Sequence, residues 1–465
     1  MIPIPKLFQK TMTVKRIEEY MDHTFCEVLH TTLNPDGPGV IRIHLIPPKK
    51  EEHALNPSIA IINGTDIIPV NFVWAVILAE LIRETNRFDG RELKEEEIGT
   101  ILKQTADNVK KVIPVLTRNR IEDDIRTIYR TIKEIAYREP VTTDVHYMSI
   151  GEYAEYMNAP HRMDLMVSAM TKNGKWHCNQ KCIHCYAAGQ EHSEEEELST
   201  EEWKKILDQC REAGIPQVTF TGGEPTMRDD LFELIAYARW FISRLNTNGI
   251  RLTPEYCRKL HQAELDSVQI TFYSSDADIH NRLVGAEQYE NTVHGIDHAL
   301  KEGLSVSINT PLCTLNRDYV RTLKFLHEKG VIYVTCSGLI TTGNAAEEAS
   351  ERLQLSSAEL EEILREAVSY CHQNGMEIAF TSPGWIPQEV FDELNIPSPS
   401  CGACLSNMAV TPGGNVVPCQ SWLSGKPLGN MLTDDWETIW NSPECLERRN
   451  YSTDMTGECP LRRYC

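Results

Sequence analysis

Between residues 163 and 380, short β-rich runs alternate with amphipathic helical runs at a spacing of roughly 25 to 40 residues, and this alternation limits the fold more than any other feature. Strands are expected over 164–169, 217–221, 242–246, 267–272, 305–309 and 332–335, with 377–380 as a candidate seventh. All but the last are followed by a helical run. In one of these runs Ser199 and Glu202 form a capping box, and Trp203, Ile206, Leu207 and Cys210 then recur on one face. Parallel strands joined by right-handed helical crossovers curl into a closed or partly closed barrel, with the chemistry at the carboxyl ends of the strands. The expected fold class is α/β, a partial (βα)6 TIM-like barrel over 161–385.

The flanks read differently. Residues 39–47 and 58–70 are expected as strands, followed by helices over 71–87, 93–104 and 121–137, which makes 1–160 a small α+β domain. A turn at Phe88-Asp89-Gly90-Arg91 separates the first two helices. After 380, Pro383, Pro387, Pro397 and Pro399 interrupt any helix, and six of the 15 cysteines fall in the last 65 residues. Residues 386–465 are therefore expected as a cysteine-rich domain.

Charge narrows the partners. The chain has 46 Lys plus Arg against 67 Asp plus Glu, a formal charge of −21 over 465 residues, which repels phosphate backbones and anionic lipid. No nucleic acid and no membrane partner is expected. The longest apolar run, 72–79, falls short of the about 20 residues that span a bilayer, and residues 1–23 lack the features of a secretory signal. A cytoplasmic protein is expected, so the cysteines are ligands, nucleophiles or core fillers rather than disulfides.

The sharpest motif is Cys178-Asn179-Gln180-Lys181-Cys182-Ile183-His184-Cys185, in the loop after the first barrel strand. Such a spacing arises by chance in a chain of this cysteine content with a probability of about 1–2%. Three thiolates on one compact loop hold three irons of a [4Fe-4S] cluster and leave the fourth free for a small molecule. Structural zinc is the competing assignment, but zinc prefers four tetrahedral ligands from paired segments, and His184 between Cys182 and Cys185 is poorly placed to complete such a site. Thr221-Gly222-Gly223-Glu224-Pro225 ends the second strand on the same rim. Two glycines permit close approach to the backbone, and the carboxylate accepts bonds from an ammonium group.

Together, CNQKCIHCYA and TGGEP resemble the radical S-adenosylmethionine (SAM) enzymes, over roughly residues 163–380. The resemblance implies that Cys178, Cys182 and Cys185 ligate a [4Fe-4S] cluster whose open iron binds SAM. It also implies that one electron cleaves SAM to a 5′-deoxyadenosyl radical, that Gly222, Gly223 and Glu224 receive the methionine ammonium group, and that His184 lies near the adenine. A reducing donor such as flavodoxin or ferredoxin is implied as a partner. Residues 269–274 with His280-Asn281-Arg282 and Gly285 are similar to the family's "iSlYs…HD…G" phrase, with Thr271 in place of Ser and Asn281 in place of Asp. Thr271 keeps a hydroxyl for ribose or carboxylate, whereas the lost charge at 281 leaves that position's role in doubt. Arg282, Asn248 and Asn309 are further candidates for the SAM pocket, and Asn246, in the same LNTNG run as Asn248, is a candidate on the rim. No general base, and so no catalytic side chain, is assigned.

Cys401-Gly402-Ala403-Cys404, then Gly414 and Cys419, resemble the opening of the twitch or SPASM extension of these enzymes. This implies an auxiliary [4Fe-4S] cluster on Cys401, Cys404 and Cys419, with Cys459 or Cys465 as the last ligand. Thr456 stands where a further cysteine would fall, which favours one auxiliary cluster over two. Cys445 is expected to pack in a helix; Cys313 and Cys336 lie near strand ends, where packing is the favoured reading and return of a hydrogen atom to a substrate radical the alternative.

Residues 39–104 resemble a RiPP recognition element, a winged-helix-like module that holds the leader of a precursor peptide by strand addition. The implied activity is maturation of a ribosomally made peptide, forming a thioether or carbon–carbon crosslink. The alternatives are a radical SAM enzyme of cofactor or tetrapyrrole biosynthesis, and a non-catalytic iron–sulfur electron-transfer or scaffold protein.

Overall fold

The computed structural model describes residues 4–34, 40–49, 56–88, 93–346 and 352–453. The chain forms two compact units, Met1–Asn158 and Ala159–Cys465.

The first unit opens with a helix, Ile4–His23, that the hydrophobic pattern does not announce. An antiparallel meander follows, in the order β1 (Leu29–Leu33), β2 (Ile41–Ile46), β3 (Ser58–Ile62) and β4 (Asp66–Val70). The single strand expected over 58–70 is thus a hairpin. Asn63 and Gly64 both take positive φ, 49° and 72°, and reverse the chain. Helices Phe72–Thr85, Glu95–Val112 and Arg118–Ala136 come next, the first capped by Asn71, whose Oδ1 accepts from Val73 N and Trp74 N at 3.1 Å. Ile43, Leu45, Val76, Ile77, Ile121 and Ile125 share one core. Of the turn expected at 88–91, positions 89–91 lie outside the described residues. Strand β4 is the other edge of this sheet, and one of its carbonyls, Ile67 O, accepts from Met148 N at 2.9 Å.

In the second unit β5 (Arg162–Ser168) leads into a small hairpin, β6 (Thr171–Lys172) and β7 (Lys175–Trp176). The barrel continues as β8 (Gln217–Gly222), β9 (Ile242–Thr247), β10 (Ser267–Thr271), β11 (Val306–Pro311), β12 (Tyr333–Ser337) and β13 (Glu377–Phe380), each parallel to its predecessor in the sheet. The candidate seventh strand forms, so six expected units become six plus a closing strand. Residues 386–465 do not stand apart from the sheet. Strand β14 (Asn407–Val410) pairs in parallel with the other edge of β5, and β15 (Asn415–Val417) and β16 (Gly429–Asn430) extend it antiparallel. This satisfies backbone groups that an edge strand would otherwise leave unpaired.

Along the barrel strands one set of alternate residues is buried and apolar, Val218, Phe220, Leu245, Val268, Ile308 and Val334. The other set faces the lumen and is polar: Thr219, Arg244, Asn246, Gln269, Asn309 and Thr335. A filled barrel of this size normally packs branched apolar side chains inside. This one keeps a polar cavity of about 460 Å³.

Candidate active site at the carboxyl ends of the strands

The cavity is lined at its upper end by Cys178, Cys182 and Cys185, each partly exposed. Their loop has no regular structure, so its shape is set by bonds from elsewhere. Lys181 N and Ile183 N donate to Val284 O and Leu283 O at 3.1 and 3.0 Å, at the end of helix Ala277–Val284. From the opposite side Asn344 N reaches Cys185 O at 2.9 Å, and Asn344 Nδ2 reaches Cys182 O at 3.1 Å. Trp176 Nε1 holds Gln180 O at 2.7 Å.

Two glycines make these contacts sterically feasible. Gly285 (φ 64°) would place a Cβ 2.4 Å from Lys181 O, and Gly343 (φ 56°) would place one 2.5 Å from both Cys185 O and Tyr186 O. Gly343 and Asn344 were not identified from sequence, since Thr341-Thr342-Gly343-Asn344 reads as an ordinary turn.

The phrase from Tyr273 to Gly285 serves the same loop. Tyr273 Oη lies 3.0 Å from His184 Nε2. His280 is fully buried, its Nδ1 3.4 Å from Tyr273 N and its ring 4.9 Å from that of Phe272. Asn281 Oδ1 accepts from Gln288 N and Tyr289 N at 2.9 and 2.8 Å. That task needs an acceptor oxygen and no charge, so Asn in place of Asp is physically adequate.

The thiols fit a cationic cluster. Burial pushes the Cys178 thiol up to about 12, and burial with the neighbouring Cys185 and Cys178 raises that of Cys182. Thiols whose charges oppose one another in this way ionise together around a strong positive centre, and soft thiolates suit iron–sulfur chemistry. Among the described residues no three His, Cys, Asp or Glu side chains are arranged around a single metal ion. His184 turns to Tyr273 rather than to the cysteines, and burial lowers its pKa to about 4, so the ring is neutral with Nδ1 buried and unpartnered.

Gly222 and Gly223 line the cavity, but their missing side chains face the chain after β5. A Cβ on Gly222 (φ 132°) would lie 2.2 Å from Ser168 O, and one on Gly223 would lie 2.7 Å from Ala169 O. Glu224 is buried and largely engaged. Its Oε1 accepts from Thr226 N, Thr226 Oγ1 and Thr247 Oγ1 at 3.0, 2.5 and 2.7 Å, and its Oε2 accepts from Asn248 N at 2.9 Å. Burial raises its pKa against these bonds. Only Oε2 keeps room for an ammonium donor. Asn248 Nδ2 bonds Asn179 Oδ1 at 2.6 Å, tying the strand end to the cysteine loop. Thr271 and Asn309 sit side by side in register on the lumen, with Asn309 Oδ1 accepting from Thr335 Oγ1 at 2.8 Å. Arg282 is exposed on its helix and does not line the cavity. Nor do Cys313 and Cys336: both are buried, and the residues flanking Cys336, Thr335 and Ser337, are the ones facing inward.

Cys401 and Cys419 line the same cavity. Cys404, fully buried in the left-handed region (φ 57°), is held by a bond from its N to Pro418 O at 3.1 Å. Cys445 does pack in a helix, Pro443–Thr453, but its thiol shares a hydrogen bond with Cys404. That bond, with Arg449 Nη2 at 3.5 Å from Cys445 Sγ, pulls the Cys445 thiol down to about 7 and leaves that of Cys404 raised. Cys459 and Cys465 lie outside the described residues.

The Radical SAM superfamily matches residues 177–342, and an iron–sulfur cluster-binding domain, SPASM, matches 401–465. A radical SAM domain binds a [4Fe-4S] cluster and SAM, and a SPASM domain binds auxiliary clusters. The chain is 32% identical over 204 residues to Fe-coproporphyrin III synthase of Methanosarcina barkeri, covering 43% of this chain and 51% of that relative. It thus spans about half that protein's length. It is 27% identical over 303 residues to AdoMet-dependent heme synthase of Nitratidesulfovibrio vulgaris, covering 61% of this chain and 81% of that one. To mycofactocin maturase MftC of Mycolicibacterium smegmatis it is 26% identical over 297 residues, covering 61% and 72%. The fold is that of Streptococcus suis SuiB, solved bound to precursor peptide SuiA, with a TM-score of 0.56, 15% identity, and coverage of 88% of this chain and 91% of SuiB.

Proposed function

We propose, from the premise that this chain carries a radical SAM domain and a SPASM domain, that it is a radical SAM enzyme that matures a ribosomally made precursor peptide. The observation that carries the radical SAM assignment is the pinned loop that turns Cys178, Cys182 and Cys185 toward one cavity beside Gly222 to Glu224. The bound cluster supplies the electron that cleaves SAM, giving a 5′-deoxyadenosyl radical that abstracts hydrogen from the substrate. The chain's own residues do the rest. The three thiolates leave one iron open, Glu224 Oε2 and the Gly223 carbonyl receive the ammonium group, and Thr271 with Asn309 offers a hydroxyl and an amide to the ribose or carboxylate. His184 lies beside the adenine as a neutral ring with one free nitrogen. Arg282, being exposed, has no part in this pocket. Cys401, Cys404 and Cys419 hold an auxiliary [4Fe-4S] cluster, with Cys459 or Cys465 as the last ligand. Flavodoxin or ferredoxin supplies electrons in the cytoplasm. No described helix is long and apolar enough to cross a membrane.

The peptide assignment is supported by the fold shared with SuiB and by the likeness to MftC. In the first unit, the leader would pair along β1, since β4 is engaged at Ile67. A second reading, modification of a carboxylate-rich tetrapyrrole, is favoured by the polar lumen and by the likeness to the heme and coproporphyrin enzymes.

Anaerobic protein is expected to be brown, with about eight irons. With dithionite and SAM it should release 5′-deoxyadenosine, and with its precursor peptide that peptide should lose two hydrogens. Colourless zinc protein, or no 5′-deoxyadenosine, overturns the radical SAM reading. Turnover of a porphyrin without any leader peptide overturns the peptide assignment alone.

A further inference from the structure

We propose that Arg244 anchors a carboxylate of the substrate inside the barrel, below the cluster; this rests on the radical SAM reading above. Arg244 is the third residue of β9, three positions before the strand's carboxyl end at Thr247, and it faces the cavity. At about 3.3 Å per residue its backbone lies roughly 10 Å below the rim that carries the cysteine loop.

Its charge is only partly answered. Asp164, the acidic group that acts on it, is already committed to Arg162, whose Nε lies 2.9 Å from Asp164 Oδ1. Arg244 itself makes no hydrogen bond or ion pair among the described residues. Burial first, then the nearby Arg162, draws its pKa down to about 10, so the guanidinium remains charged at neutral pH at a cost. A charge held this deep is normally paired, yet the one carboxylate that acts on Arg244, Asp164, is also bonded to Arg162.

A second observation points to a ligand at the same level. Thr219, in register with Arg244 on the adjacent strand, is 1% exposed, and its Oγ1 has no partner although it lines the cavity. One layer higher, Asn246 Oδ1 is also buried and unpartnered. A guanidinium fork with a hydroxyl donor beside it matches a carboxylate, which takes two parallel N–H bonds and a third from the hydroxyl. A substrate held by its acid group at this depth would point its remaining carbon skeleton up toward the SAM end. The carboxylate belongs either to a small molecule such as a tetrapyrrole propionate or to an acidic residue of a peptide.

The test uses the reconstituted holoenzyme with two pairs of probes in equilibrium dialysis: coproporphyrin III against its tetramethyl ester, and a capped glutamate tripeptide against its glutamine counterpart at millimolar concentration. One acid should bind at least ten-fold more tightly than its neutral counterpart, and which one does identifies the source. Arg244→Gln should abolish that preference, and Arg244→Lys should keep part of it. Because Arg244 makes no hydrogen bond or ion pair among the described residues, Arg244→Gln should melt no lower than wild type. The inference is overturned if neither acid is preferred, if the preference survives in Arg244→Gln, or if that variant melts lower, which would make Arg244 a structural residue. SAM cleavage by wild type, assayed in parallel, judges the radical SAM reading separately.

Discussion

Two groups of three cysteines, five of whose members line one cavity, are held in different ways. Cys178, Cys182 and Cys185 lie on an irregular loop, each partly exposed, and the loop is shaped by bonds to Val284, Leu283, Asn344, Trp176, Asn248 and Tyr273. Cys401, Cys404 and Cys419 flank β14 and β15, which are strands of the barrel sheet itself, and the first two are buried. The first group is arranged so that a ligand reaches it. The second is embedded in the scaffold, with Cys404 turned from the cavity toward Cys445. Access to the first group thus depends on second contacts, which the sheet makes unnecessary for the other.

The strongest break in this comparison is Cys182→Ala. It should reduce 5′-deoxyadenosine formation below detection while leaving about half of the iron and the auxiliary absorption; Cys419→Ala should remove the auxiliary absorption instead. If either change removes both signals, the two groups are not independent.

A smaller effect is expected from Gly343→Ala or Gly285→Ala. Each forces a side chain into the left-handed region, costing about 1–2 kcal/mol, and into a carbonyl of the cysteine loop at 2.5 or 2.4 Å. Iron at the first site should fall and the melting temperature should drop, with the auxiliary absorption unchanged. Normal iron content in both variants would show that the loop holds without its clamps.

The smallest effect concerns acid. Burial lowers the pKa of His280, beneath Tyr273, to about 4 from 6.5. The unfolded chain therefore binds the proton first as pH falls, so stability is full above about 6.5 and lost progressively toward 4, by at most roughly 3 kcal/mol. Melting at about pH 5 should be lower than at 7.5, and the difference should shrink in His280→Gln. An equal difference in that variant would place the acid sensitivity elsewhere.

Much of the barrel was legible because period-2 apolar runs separated by capped amphipathic helices leave few alternatives; β8 begins at Gln217 and β13 spans 377–380 as the pattern requires. Helix Ile4–His23 was not, since its apolar residues make a weak stripe, and the hairpin was missed although Asn63-Gly64 between two apolar runs is a signal for one. In the site, His184, Gly222, Gly223, Glu224, Asn248, Thr271 and Asn309 all reach the cavity, whereas Arg282 does not. Its position three residues before the end of the phrase at Gly285 says nothing about which side of the helix faces the lumen.

The amino-acid order by itself determined the cysteine spacing, the strand–helix alternation and the polar residues that recur every second position, because these are local and follow from backbone period and ligand chemistry. Only the tertiary structure decided that Gly285 and Gly343 close on one loop at Lys181 and at Cys185, that β14 joins the barrel edge, and that Arg244 stands beside an Asp164 shared with Arg162. Those facts depend on which strands become neighbours, and no distance along the chain encodes that.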